Sequence, residues 1–125
     1  MNVTADILTS RAKALGLPIA KNAFEGTLDD PVPEMPYLVW LQPHETGRGA
    51  DGKNNLKAQD WDLELYTPFD DKARQQLAER IETEVLHDVE YECFVAYIED
   101  EECYQTAYEV KGILKKNRKE NVKHG

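Results

Sequence analysis

DWDLELYTPFDDKARQQLAERIETEVLH, residues 60–87, is the stretch whose reading decides the fold. From Asp60 to Tyr66 acids and apolar residues alternate: Trp61, Leu63 and Leu65 point one way, Asp60, Asp62 and Glu64 the other. That period of two marks a strand buried on one face. Thr67-Pro68 ends the alternation, and Asp70-Asp71 offer carboxylates to the orphan amides and positive dipole end of a helix. Within that helix Ala73, Leu77, Ile81 and Val85 recur every fourth position, and charged or amide side chains fill the remaining faces. One apolar stripe is therefore available to lie on the strand's apolar face.

The elements on either side extend this unit. Ile7, Leu8, Ala12, Ala14 and Leu15 fall at helical spacing, Thr4 can cap, and Gly16 followed by Leu17-Pro18 ends the run. Ile19 to Phe24 reads as a short extended segment, and Thr27 to Pro36, with three prolines, as an irregular connection. Tyr37-Leu38-Val39-Trp40-Leu41 is a strand with both faces covered. His44 to Lys57 is polar and glycine-bearing and reads as a loop or projecting hairpin arm with Asp51-Gly52 as its turn. Beyond the central helix, Cys93–Ile98 and Cys103–Leu114 form a hairpin about Asp100-Glu101, which sets Tyr97 against Tyr104, Val95 against Thr106 and Cys93 against Tyr108. From Lys115 the apolar periodicity stops. The expected division is an α+β domain over residues 1–114 and a basic, disordered tail over 115–125. Within the single domain a mostly antiparallel sheet is packed by two helices on one face, with the arm projecting.

Composition bounds the function. The chain has 125 residues, 41% of them hydrophobic, enough for one core. It holds no apolar run long enough to span a bilayer and no signal-peptide pattern at its start, so no membrane association is expected. The hairpin register puts Cys93 and Cys103, the two cysteines, on opposite faces, which predicts no disulfide and suits a reducing cytoplasm. Residues 115–125 hold five bases and one acid, which leaves 10 bases against 23 acids elsewhere: a tail of +4 on a body of −13. Such a body repels the nucleic-acid backbone, so specific DNA binding is not expected.

Four stretches carry chemistry that must be weighed. Gly47-Arg48-Gly49-Ala50-Asp51-Gly52 matches the glycine-rich dinucleotide fingerprint, but the helix that must follow it has no room before Trp61, so a flexible arm is the better reading. Asp60, Asp62 and Glu64 stand about 7 Å apart along a strand; the row reads as a wetted face before it reads as a metal or catalytic site, since the calcium-loop pattern has Leu65 where its glycine belongs. His44, His87 and His124 lie in a loop, at a helix end suited to a cation, and in the tail, none at ligand spacing. Asp88 to Glu102 carries seven acids and no base around an apolar centre, either a solvated hairpin edge or a surface built to repel DNA or to meet a basic partner. No enzyme and no cofactor are predicted.

Taken together, Leu17-Pro18-Ile19-Ala20, Asn22-Ala23-Phe24-Glu25, Pro36-Tyr37-Leu38-Val39-Trp40-Leu41, Ala50-Asp51-Gly52-Lys53, Asp60-Trp61-Asp62-Leu63-Glu64-Leu65-Tyr66-Thr67 and Tyr104-Gln105-Thr106-Ala107-Tyr108-Glu109-Val110 resemble small proteins of tailed phages and Gram-positive prophages. The pattern, over residues 7–114, is similar to the tail terminator, or tail completion, proteins of long-tailed phages. The resemblance implies a virion protein of the tail-neck junction, assembled in the host cytoplasm. It would form a homohexameric ring that ends tail-tube growth and joins tail to head, with DNA passing through its lumen. The implied partners are further copies of the chain, the tail tube protein and a head-closure or connector protein. On that expectation Asp60, Asp62 and Glu64 line the lumen, where like charge lets DNA slide. His44, Arg48, Asp51, Lys53 and Asn54 belong to an arm that reaches the next subunit or the tail tube. Lys115, Lys116, Arg118 and Lys119 contact the connector. The rivals are another neck protein, an acidic inhibitor that imitates DNA, and a small hydrolase built on the carboxylates.

Overall fold

The computed structural model describes residues 3–43, 45–48 and 56–116. Thr4 caps the first helix through its side chain, accepting from the Ile7 amide at 3.3 Å, and α1 runs Ala5–Lys13. Gly16, at φ 85, takes the left-handed conformation that ends the turn beyond it. The strands that follow are β1 (Ile19–Lys21), β2 (Tyr37–Leu41), β3 (Glu45–Arg48) and β4 (Leu56–Pro68). Asp70 caps α2 (Asp71–Glu84), and the chain closes through β5 (Glu92–Ile98) and β6 (Cys103–Lys116).

The sheet order is β1-β2-β4-β6-β5, with β3 paired to β4 off that path. Among the described residues β1–β2 is the one parallel pair, and the remaining pairings are antiparallel. At 13 residues β4 is long enough to carry two strands end to end on one edge, β2 against its second half and β3 against its first. Along the other edge it pairs β6 from Leu56 to Pro68. Of the region read as a loop or hairpin arm, Glu45–Arg48 pairs antiparallel with Leu56–Gln59, and β6 lies on the far side of β4. The Asp51-Gly52 turn lies outside the described residues.

Packing follows the alternation. Leu38, Trp61, Leu63, Leu65, Tyr108 and Val110 share one face and pack with Leu8, Ala12, Ile81, Val85 and Leu86 of the helical layer. Trp61 is fully buried and satisfies its indole by donating to Thr9 Oγ1 at 3.0 Å, while the Thr9 hydroxyl donates to the Ala5 carbonyl. Tyr108, also fully buried, donates toward Glu82 at 2.9 Å. Each helix supplies an arginine to the other's C-terminal end: Arg11 donates to the Val85 carbonyl and holds Asp88 with two bonds of 2.7 and 3.1 Å, and Arg80 donates to the Leu15 carbonyl. Orphan carbonyls are thereby met where α2 has no base in its own last turn. Arg11 thus brings a second cation to the end where the sequence already places His87.

Two features depart from the sequence reading. β6 continues through Lys115 and Lys116, which pair with Lys57 and Leu56, so the ordered chain extends past the boundary drawn at 114. Pairing needs only backbone groups, which β4 provides; the side-chain periodicity that was the sequence signal had already ended. A bulge also interrupts β4–β6 between Gln59 and Trp61. On β6 the extra residue falls between Val110 and Ile113, where Gly112 adopts φ 69 and donates its amide to Asp60 Oδ1 at 3.0 Å.

Candidate functional site

On the sheet face opposite the helices, the strand alternation brings Asp60, Asp62 and Glu64 together as expected. Asp60 is turned to the Gly112 amide, and Glu64 accepts from the Tyr66 hydroxyl at 3.0 Å, which itself accepts from Gln105 at 2.8 Å. Tyr66 stacks on Tyr37 at 5.1 Å, and Phe24 meets Tyr37 edge-on. Burial, then the bond to Glu64, pushes the Tyr66 hydroxyl up to about 12, so it remains a donor at neutral pH.

The row is wider than the sequence suggested. Asp62 lies opposite Glu109 on β6, and Glu109 lies opposite Glu92 on β5. Three acids thus run across three strands at right angles to the row along β4. Burial first, then Glu109, Asp60 and Glu64, pushes the Asp62 carboxyl up to about 6, against the pull of Lys111. Lys111 Nζ stands 3.7 Å from Glu109 Oε1. The hairpin register alone placed Glu92 beside Glu109. Their junction with Asp62 depends on β4 pairing with β6, for which the sequence has no local signal. Among the described residues no group of three or more His, Cys, Asp and Glu side chains is placed to hold a metal. A cavity of about 190 Å³ opens beside the acids, lined by Glu90, Tyr91, Glu92, Glu109 and Lys111.

The other singled-out residues fall less evenly. Arg48 is a β3 position opposite Leu56, and Lys115 and Lys116 are β6 positions. His44, Asp51, Lys53, Asn54, Arg118 and Lys119 lie outside the described residues. Gly47, where the dinucleotide fingerprint begins, is a strand residue opposite Lys57, a geometry unlike the strand-to-helix turn that cradles a pyrophosphate.

The acidic hairpin of Asp88 to Glu102 holds a second surface. Its register is the one read from the sequence, with Cys93 and Cys103 on opposite faces. β5 is an outer strand of the sheet and, apart from Ile98 at its end, is exposed along its length. Phe94, Val95 and Tyr97 are 50%, 51% and 61% exposed. Tyr97 stacks on Phe69 at 4.3 Å, and both rings meet Tyr104, over which Arg74 sits at 5.5 Å. No protein-family model matches the chain, and no curated protein matches it either.

Proposed function

We propose that the chain is a ring subunit of the tail-terminator type, a virion protein at the tail-neck junction of a long-tailed phage. In this reading six copies close around a channel, end polymerisation of the tail tube, and present a surface to the head connector. The observation that carries it is the acidic face: Asp60, Asp62 and Glu64 along β4, extended by Glu109 and Glu92 across the sheet. Like charges held side by side on a sheet cost stability, and after burial it is Glu109, Asp60 and Glu64 that push the Asp62 carboxyl up. A lumen that must pass DNA without binding it gives that cost a use. Outer strands and a hairpin arm supply surfaces through which copies can join.

The test is to image the neck of intact particles by electron microscopy, with the chain labelled. Label at the capsid-tail junction, with the acidic face turned inward, is the expected result. Particles without label there remove the reading. An acidic inhibitor that imitates DNA would instead act as a monomer or dimer and bind a nucleic-acid-binding protein; native mass measured in the presence of tail tubes separates the two.

A further inference from the structure

Edge strands are ordinarily blunted by lysine, proline, bulges or brevity. β5 has none of these: from Cys93 to Ile98 it carries no charge and no proline, and the acids stand only at its two ends, Glu90 before it, Glu92 at its first position and Glu99 to Glu102 after it. No β5 residue belongs to the buried core cluster. The turn gives a further sign. Glu102 sits at φ 51, a conformation that favours glycine or asparagine, yet the position holds an acid. Such a local conflict is expected where a side chain is retained for something other than folding.

We infer that the outer edge of β5 docks the basic segment 117–125 of a neighbouring copy as an added strand. The inference rests on the ring reading and names the contact by which one subunit grips the next. Charge selects the occupant. An antiparallel pair of two β5 edges would set the acids that precede the strand in one copy against those that follow it in the other, with seven acids from each hairpin crowded together. Segment 117–125 brings Arg118, Lys119 and Lys123 against one acid, Glu120. An apolar centre with acidic ends fits a basic strand, whose main chain supplies hydrogen bonds and whose cations meet the acids.

Length selects the neighbour over the same molecule. Glu92 pairs with Glu109, and β6 runs on to Lys116, so segment 117–125 leaves about 23 Å beyond the near end of β5. Nine extended residues reach about 30 Å. Folding back would leave only about two residues to pair, whereas from a neighbouring copy the whole segment is free to pair along β5. The contact joins two different patches of the chain, so its repetition from copy to copy is compatible with a ring.

The experiment uses the full-length, isotopically labelled chain and a synthetic peptide of residues 117–125, followed by backbone amide shifts. Peptide at millimolar concentration is expected to move the Tyr91–Glu102 amides, to bind at least tenfold more weakly in 0.5 M salt, and to lose its effect when its three bases become glutamates. Full-length E99K/E101K is expected to lose the response and to regain it with the reversed peptide, a rescue that simple destabilisation would not produce. Absence of shifts, shifts confined to other surfaces, or a β5–β5 dimer that ignores the peptide would each overturn the inference. The two readings fail separately: no peptide binding with the chain still seen at the neck removes only this contact, and peptide binding with an unlabelled neck removes only the ring.

Discussion

Strands β4 and β5 lie one strand apart, separated by β6, and could hardly be less alike. In β4 every second residue from Trp61 to Thr67 is fully buried, and the residues between are Asp62, Glu64 and Tyr66, the last two joined by a hydrogen bond. In β5 both faces are open, although its residues are at least as apolar. Hydrophobicity alone therefore does not decide burial. What decides it is the reach of two helices, which cover the middle of the sheet and stop short of its last strand. An apolar strand that folding leaves uncovered is a surface open to a second molecule, and the docking inferred for β5 would give its residues a use outside the monomer.

Substitutions break or sharpen that contrast, the strongest first. Trp61→Ala should lower the unfolding free energy by about 3–5 kcal/mol, read by chemical denaturation, because it removes a fully buried ring and orphans Thr9 as its acceptor. Glu102→Gly should raise stability by about 1 kcal/mol by relieving the left-handed backbone at the hairpin turn. If the acid serves docking, the same variant should bind the basic peptide less well. Asp62→Asn should raise stability at pH 7 by a few tenths of a kcal/mol, since the position is partly exposed and screened. The sign of its pH dependence is fixed by the folded carboxyl at about 6 against an ordinary value of 3.8: the folded state holds the extra proton, so wild-type stability falls as pH rises from about 4 through 6. Thermal melts of Asp62→Asn across that window should have a flatter slope. Val95→Ser should likewise change monomer stability little, by about 0.5 kcal/mol or less, because the side chain is half exposed. A loss comparable to that of Trp61→Ala would show that β5 is core after all.

The sequence was legible wherever a local pattern carried the information. The period of two in Asp60–Tyr66, the four-residue stripe of α2 with its Asp70 cap, and the turn-centred register of β5 with β6 all came from neighbours along the chain. What it did not disclose were partnerships at long separation. The parallel docking of β1 on β2 brings together segments that a proline-rich connection keeps apart. Arg11 finds Val85 and Asp88 across 74 and 77 residues, a match that no short window contains. Glu109 joins the acidic row only because β4 and β6 meet. The strand ran on to Lys116 because its neighbour offered a ladder, whatever its side chains. For the candidate site, then, the row on one strand could be read in advance, and its breadth could not.

Gly112 has an effect larger than its size. Because the bulge inserts one extra position into β6, the alternation of up and down is reset there, and Ile113 returns to the same side of the sheet as Val110. Deleting this single glycine would therefore leave Lys111 alone opposite Asp60 and keep Ile113 on the core side, so the ladder would run regular where it now bends. What the molecule would lose is the extra local twist of the bulge and the Gly112 amide that now satisfies the Asp60 carboxylate, so a carboxylate quieted by one backbone group would be handed back to its acidic neighbours.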